Sequence, residues 1–236
     1  MLTKKVRYGF AIIMVLSIKS LAWTGDIASF VDFGFSSDGL NYMFGQYGVQ
    51  SQTLNPWAEL FVVDVPRNTF VSGGRLSFVH DNPVIAGQDG IGALFRLVSR
   101  NTELVNRYGI TYLLQGQLLY LSLDTTQPSS TGETIEFRDF ERNESYRARL
   151  VSTVEGSGAN LSSSFFITLE RTTQTGARRS YTVGTPQVKR PLISAYRIKK
   201  VMIAPQGGAM VLVIETSKPT ADGPDVRYMV ETVSIQ

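Results

Sequence analysis

Alternating apolar and polar residues predict a three-stranded antiparallel meander over residues 28–65. The apolar residues of 30–35 run into the turn Ser36-Ser37-Asp38-Gly39, where an Asp can accept local backbone hydrogen bonds and a Gly can adopt a positive φ. Residues 40–45 then alternate with the period of two that is typical of a half-buried strand. A more continuously apolar third strand is expected at 58–65, after a polar loop.

The apolar period changes between Gln88 and Tyr108. Apolar residues recur there at i, i+3, i+4 and i+7, which predicts one amphipathic α-helix at about 88–108. Gly109 suits the position after the helix C-terminus. Asp89 near the start and Arg107 near the end both complement the helix dipole.

The rest of the chain returns to β patterns, so the expected fold is mainly β, with antiparallel meanders in blade-like or sandwich-like sheets. One domain is expected over 23–236, with a candidate subdivision in the Thr, Ser, Pro and Gly residues near 124–132. Gly73 and Gly74 are expected to end a short strand. The predicted strands lie at 69–71, 76–79, 110–114, 117–123, 134–140, 146–155, 164–171 and 179–183.

The two ends of the chain share one pattern. Residues 35–65 and 203–233 align without a gap at a constant offset of 168, each with a Gly turn, an apolar strand, a polar loop with Pro and a final apolar strand. This similarity predicts the same three-stranded unit at both ends. We expect the two units to be neighbours in the fold. The identical pairs are Gly39 and Gly207, Pro56 and Pro224, Val62 and Val230, and Val65 and Val233.

Residues 1–22 have the pattern of a secretory signal peptide. Basic residues at 4–7 precede an apolar run at 8–18, and Ser20-Leu21-Ala22 offers a small-residue cleavage site. The alternative is an uncleaved membrane anchor, but a helix needs about 20 apolar residues to span a bilayer. We therefore expect an exported protein, periplasmic or secreted, that is not an integral membrane protein after cleavage.

Removal of this segment changes the charge balance. The whole chain has 23 Lys and Arg against 20 Asp and Glu, and four of the basic residues precede Trp23, which leaves 19 against 20. Nucleic-acid-binding domains carry a clustered basic excess, so a nucleic-acid partner is not expected. The chain has no Cys, so its fold does not depend on disulfides.

The sequence offers little catalytic chemistry. Its single histidine, His80, and the lack of Cys argue against a zinc site, and no Gly-x-Ser-x-Gly or phosphate-binding glycine motif is present. No metal and no cofactor is expected. Two carboxylates would suffice for glycoside hydrolysis, although their pairing cannot be derived from sequence. The candidate acids are Asp64, Glu136, Asp139, Glu141, Glu144, Glu215 and Glu231.

Aromatic and basic residues supply the candidate binding surface. Tyr47 and Trp57 are expected in a loop of the first meander, where such side chains favour interfaces. Tyr42 and Phe44, on one strand face, fit the core better. Basic residues in the C-terminal half could meet an anionic glycan or lipid head group, or could form a solvated strand face. The candidate surface comprises Tyr47, Trp57, Arg178, Arg179, Lys189 and Arg190.

Sequence motifs of this chain resemble those of two known protein families. The segment 28–66, with Phe35-Ser36-Ser37-Asp38-Gly39 and a later Val63-Asp64-Val65, resembles a blade of a TolB-like β-propeller. Nearly the whole chain resembles an uncharacterised family of predicted secreted bacterial proteins, best represented in spirochaetes. The motifs that carry this second resemblance are 28–39, Phe44-Gly45-Gln46-Tyr47-Gly48, 182–186 with Lys189 and Arg190, Tyr196-Arg197-Ile198, and 226–232.

The family resemblance implies export and a β-rich fold, and it carries no known activity. We therefore expect a non-enzymatic envelope protein that acts as an interaction or scaffold module for a protein partner. The alternative is a glycan- or lipid-binding module, and an unrecognised hydrolase is a further alternative.

Overall fold

The computed structural model describes residues 25–85 and 87–235. These residues form three antiparallel sheets and two short helices, which confirms the mainly β prediction. The predicted signal peptide lies outside the described residues.

The first sheet contains the predicted N-terminal meander in the strand order β4-β3-β2-β1-β5. The turn between β1 and β2 has the expected chemistry, because Asp38 accepts hydrogen bonds from Ser36 Oγ at 2.6 Å and from Leu40 N at 3.0 Å. The hydrogen bond from Ser36 lowers the pKa of the Asp38 carboxyl. The strands are β1 (Ser29–Ser36), β2 (Asn41–Val49), β3 (Pro56–Asp64), β4 (Thr69–Val79) and β5 (Ile110–Thr111).

Two sequence predictions for this region are wrong. Gly73, at φ 71°, does not end a strand, because it lies within the continuous strand β4 at an irregularity in the pairing with β3. The single helix is two helices, α1 (Ile91–Arg100) and α2 (Thr102–Arg107). Asn101 separates them, and its side-chain Nδ2 donates to Leu97 O at 2.7 Å. Such a side-chain bond competes with the helical backbone and favours a helix end.

The second sheet has the strand order β10-β9-β8-β7, and the short strand β11 also pairs with β9. The predicted hairpin at 164–183 is confirmed, and the candidate linker at 124–132 precedes this sheet. The strand before this sheet, β6 (Gln117–Leu121), belongs to the third sheet. The strands of the second sheet are β7 (Gly132–Asp139), β8 (Glu144–Glu155), β9 (Ser162–Thr172), β10 (Arg178–Val183) and β11 (Arg190–Pro191).

The third sheet contains the C-terminal meander in the order β14-β13-β12-β6. Its strands are β12 (Ala195–Ile203), β13 (Ala209–Lys218) and β14 (Asp225–Ser234). The offset of 168 places β1, β2 and β3 onto β12, β13 and β14 almost residue for residue. Gly39 and Gly207 have nearly the same φ, 71° and 76°. The prediction of the same three-stranded unit at both ends is therefore confirmed.

The third sheet is the middle layer of the molecule. In β13, Leu212 and Ile214 pack into a core shared with the second sheet, whereas Val211 and Val213 pack into a core shared with the first sheet. The far face of the first sheet is covered by α1 and α2, through Leu94 and other apolar residues. The layers therefore follow the order helices, first sheet, third sheet, second sheet. The second sheet is therefore the last layer of the described residues on its side. Its face that points away from the third sheet is called the outer face.

Glu231 of β14 connects all three sheets. Its carboxylate accepts hydrogen bonds from Asn68, in the β3–β4 turn, at 2.5 Å and from Arg190, in β11, at 3.2 Å. Burial raises the pKa of Glu231, and these two partners oppose that increase. The side chain thus holds the stack together at one end of the layers.

Candidate functional site

The outer face of the second sheet is built by strict alternation in β8. Tyr146, Ala148 and Leu150 are buried against the third sheet, while Arg147 and Arg149 between them are exposed. Successive side chains in a strand point to opposite faces, so a sequence with this alternation presents its arginines to solvent.

Strand register arranges the outward residues of β7, β8, β9 and β10 in three rows. Exposed charged residues lie beside Ser and Thr hydroxyls in every row. We call the surface formed by these rows the arginine face. The rows are Arg138, Ser145, Thr172 and Arg178; Glu136, Arg147, Glu170 and Ser180; and Thr134, Arg149, Thr168 and Thr182.

A shallow concavity of about 720 Å³ lies over the first two rows. Four arginines and two glutamates line it, so its charge balance is positive. Arg149 lines a smaller depression of about 340 Å³ that includes Thr134 of the third row. Neighbouring strands are about 4.8 Å apart, so the backbones of Arg138 and Arg178 lie ~14 Å from each other across the face.

Two arginines of this face, Arg147 and Arg138, have loose or local partners. Arg147 Nε lies 3.7 Å from Glu136 Oε1, and both side chains are more than half exposed. Arg138 donates to Asn143 Oδ1 at 2.5 Å and stacks on the ring of Phe140, with 5.8 Å between its guanidinium carbon and the ring centroid. Exposed ion pairs of this kind contribute little to stability, so they can exchange for contacts with a ligand at small cost.

A buried ionic network supports the face from below. Arg171 donates to both oxygens of Glu144, at 2.6 and 2.9 Å, and to Ile235 O at 2.5 Å. Tyr146 Oη donates to Glu144 at 2.7 Å. Burial alone would raise the pKa of Glu144, but the hydrogen bonds from Arg171 and Tyr146 lower it below its usual value. The network connects the second sheet to the end of the third and keeps β8 in place.

The structure corrects the expected positions of the two aromatic site residues. Trp57 lies in β3 and is 5% exposed, and Tyr47 lies in β2 and is half-buried; neither is in a loop. Trp57 Nε1 donates to Asp26 Oδ1 at 2.9 Å, and the guanidinium of Arg227 stacks over its ring at 3.9 Å. Trp57 therefore serves the packing of the first sheet on the third.

The four basic site residues have different environments. Arg178 and Arg179 lie in β10 and line the concavity. Lys189 forms an exposed ion pair with Glu155 at 2.5 Å. Arg190 is mostly buried, since it bonds Glu231 and stacks over the ring of Phe165 at 4.6 Å. The aromatic and basic candidates do not form one patch, because the third sheet separates the layers that carry them.

Most of the candidate catalytic acids have cationic partners. Asp64, Glu136, Asp139, Glu144, Glu215 and Glu231 each lie within 4 Å of an arginine nitrogen, at Arg67, Arg147, Arg142, Arg171, Arg197 and Arg190 respectively. Glu141 is exposed in the turn between β7 and β8. This arrangement is that of structural and surface ion pairs.

Within residues 25–85 and 87–235, no three acidic, histidine or cysteine side chains come close enough to hold a metal ion. None of the helices in this part of the chain has the length and apolar character needed to cross a bilayer.

Sequence reasoning missed four residues of the site. Arg138, Arg147 and Arg149 belong to the face, and Phe140, 83% exposed, lies in the turn at its edge. The signal was present in residues 145–150, where polar and apolar residues alternate at every position. The sequence could not show that the polar side of this strand faces solvent in the part of the chain that the structure describes.

Comparison with curated proteins and with solved structures finds no match to this chain. Residues 43–234 match the family described as "Predicted secreted protein (DUF2259)". The resemblance of 28–66 to a TolB-like blade and the spirochaete origin stay predictions. Because the match covers most of the sequence, the chain belongs to this uncharacterised family of predicted secreted proteins.

Proposed function

We propose that the protein is a non-enzymatic component of the cell envelope that binds an acidic glycan on the arginine face. The observation that carries the proposal is the exposure of Arg138, Arg147, Arg149 and Arg178 on one sheet face, which no other layer within residues 25–85 and 87–235 covers. The guanidinium group matches carboxylate and phosphate geometry and can donate two parallel hydrogen bonds to either.

The spacing of the arginines favours a polymer over a single small anion. Arg138 and Arg178 lie in the first row, at opposite edges of the sheet, and Arg147 lies in the second row between them. A ligand with one acidic group could contact only part of this face. A polymer with repeated carboxylates or phosphates could contact all three residues at once.

The composition of the face favours a glycan over a protein or a lipid surface. Protein interfaces are enriched in aromatic residues and Arg and depleted in Glu and Ser, and lipid surfaces bind a broad apolar area that is combined with basic residues. The arginine face instead mixes Arg, Glu, Ser and Thr, which can donate to and accept from many hydroxyl groups. The protein partner expected from sequence stays a prediction.

Phe140 gives the glycan proposal a second contact. Its ring is 83% exposed beside Arg138. An exposed ring offers apolar area to the carbon face of a sugar, while the adjacent guanidinium can bind an acidic substituent of the same sugar. We expect the polymer to enter the face over this turn.

A binding experiment with purified residues 23–236 tests the proposal. Its ligands are polygalacturonate and a glycerol phosphate teichoic acid, with neutral dextran for comparison. The probe variant is Arg138→Gln, Arg147→Gln, Arg178→Gln. We expect at least 10-fold weaker binding of the acidic polymer, since a hydrogen bond to a charged group contributes about 1.5–3 kcal/mol and about 1.4 kcal/mol is tenfold. The two polymers distinguish carboxylate from phosphate recognition.

The matched control removes three exposed arginines at the opposite end of the stack, as Arg96→Gln, Arg100→Gln, Arg107→Gln. Its net charge equals that of the probe variant, so a general charge effect would weaken both. Equal loss in both variants, or acidic polymers that bind no more tightly than dextran, would overturn the proposal.

A further inference from the structure

Residues 108–123 form a segment without any charged side chain, between Arg107 and Asp124. It contains β5 and β6, and five of its apolar side chains are at least 46% exposed. The exposed fractions are 93% for Leu113, 82% for Leu123, 52% for Leu118, 48% for Leu121 and 46% for Tyr112.

One edge of β6 has backbone groups that no described strand uses. β6 pairs with β12 on one side, where Leu121 lies opposite Lys200 and Ser122 N donates to Lys199 O at 2.9 Å. Backbone groups alternate in direction along a strand, so the N–H and C=O of Leu121 point away from β12. In the described part of the chain, β6 is the last strand of the third sheet on that side.

The other sheet edges formed by long strands carry charges. Exposed sheet edges attract foreign strands, and proteins usually protect them with charged side chains. β4 carries Arg75, β10 carries Arg178 and Arg179, β7 carries Glu133, Glu136 and Arg138, and β14 carries Asp225, Arg227 and Glu231. Among these edges in residues 25–85 and 87–235, only β6 lacks such protection.

We propose that β6 is a self-association edge, at which a second copy of this chain adds its own β6 in antiparallel orientation. A two-fold interface places each residue near its own equivalent, so a charged edge would repel its copy. The segment 108–123 contains no charge that could do so, and its exposed leucines can bury one another on pairing. The third sheet then continues across the interface as eight strands.

The test is the association state of residues 23–236, measured by sedimentation velocity from micromolar concentration upward. The probe variant is Leu118→Lys, Leu121→Lys, which places four ammonium groups near the two-fold axis of the pair. We expect a concentration-dependent dimer whose dissociation constant rises at least about 10-fold in the variant. The matched control is Leu40→Lys, Leu54→Lys, at two leucines of similar exposure in the loops that flank β2, and it should dimerise like the unmodified chain.

Hydrogen exchange of the unmodified chain gives an independent measurement that does not require the variant to fold. The outward amide of Leu121 should become protected as the protein concentration rises, because strand pairing gives it an acceptor. A chain that stays monomeric at all concentrations would overturn the proposal. So would a dimer in which the Leu121 amide exchanges freely, or one that the two lysines leave intact.

Discussion

Asp32 and Lys200 form an ion pair at 2.5 Å between the first and third sheets, and they occupy equivalent positions of the two similar meanders. Their separation in sequence is the same 168 residues that relate the meanders throughout. Gly39 likewise lies beside Gln206, one residue before its own equivalent, Gly207. Equivalent positions therefore lie over one another, so the two meanders stack by an approximate translation.

Loss of the lysine should destabilise the stack. In Lys200→Met, Asp32 would stay largely buried without its cation, since its side chain is only 14% exposed. We expect a decrease of about 2 kcal/mol in the free energy of unfolding, below the value for a fully buried pair. Urea unfolding measures it, and the double variant Asp32→Asn, Lys200→Met should recover part of the loss if the two residues interact directly.

Trp57 should affect stability and not ligand binding. Trp57→Phe keeps an aromatic ring but loses the hydrogen bond to Asp26 and most of the stacking with Arg227. We expect a loss of about 1–2 kcal/mol in unfolding free energy, together with unchanged affinity for the acidic polymer. A large loss of affinity in a folded Trp57→Phe protein would instead support the sequence-based placement of Trp57 on a binding surface.

The two equivalent turn glycines should both be sensitive to substitution. Gly39 and Gly207 both have a positive φ, which costs an L-residue about 1 kcal/mol, so Gly39→Ala should destabilise by about that amount. Gly207→Ala should destabilise by at least as much, because a Cβ there would also displace the guanidinium of Arg142. Gly92 in α1 is the control, because a Cβ there meets nothing within 4 Å and Ala favours a helix. Thermal unfolding should show lower midpoints for the first two variants and an equal or higher one for Gly92→Ala.

Acid should weaken the support below the arginine face. The folded-state pKa of Glu144 is lower than its usual value of 4.5, so the folded state favours the ionised carboxylate. Its contribution to stability is present above about pH 4.5 and is lost as the pH falls through the lower, folded-state pKa. Glu144→Gln should therefore cost about 2 kcal/mol at pH 7 and progressively less below pH 4.5.

Unfolding of Glu144→Gln at several pH values measures this difference. Glu141→Gln, at an exposed acid of the turn that precedes Glu144, is the control and should show a small difference that does not change in this way. A penalty for Glu144→Gln that is as large at low pH as at pH 7 would contradict the assigned role.

Local patterns allowed much of the fold to be predicted. The alternation in 40–45 and the Asp38-Gly39 turn depend on neighbours in sequence, and both were assigned correctly. The offset between the two ends predicted equivalent units because both repeat the same local sequence of strand and turn. The break at Asn101 was missed because apolar spacing continues across it, while the side-chain bond to Leu97 interrupts the helix.

The candidate site was harder to predict because it depends on which faces other layers cover. The sequence predicts Trp57 in a loop and on the surface, but it lies in β3, where Asp26 and Arg227, which are distant in sequence, help to bury it. The sequence places Arg190 on the same candidate binding surface as Arg178. Its ion pair with Glu231, 41 residues away, instead keeps it largely buried. Arg147 and Arg149 were overlooked because a polar strand position becomes a site only when its sheet is the outermost layer.

The order of the layers gives the molecule two unlike ends, with the two helices at one and the arginine face at the other. A two-fold axis between antiparallel edge strands runs perpendicular to their sheet, so a pair joined through β6 would keep both helical ends on one side. Both arginine surfaces would then point the same way, side by side. When a long acidic polymer is bound to one copy, its binding to the second copy would be an intramolecular step. The resulting avidity can exceed either single affinity by orders of magnitude.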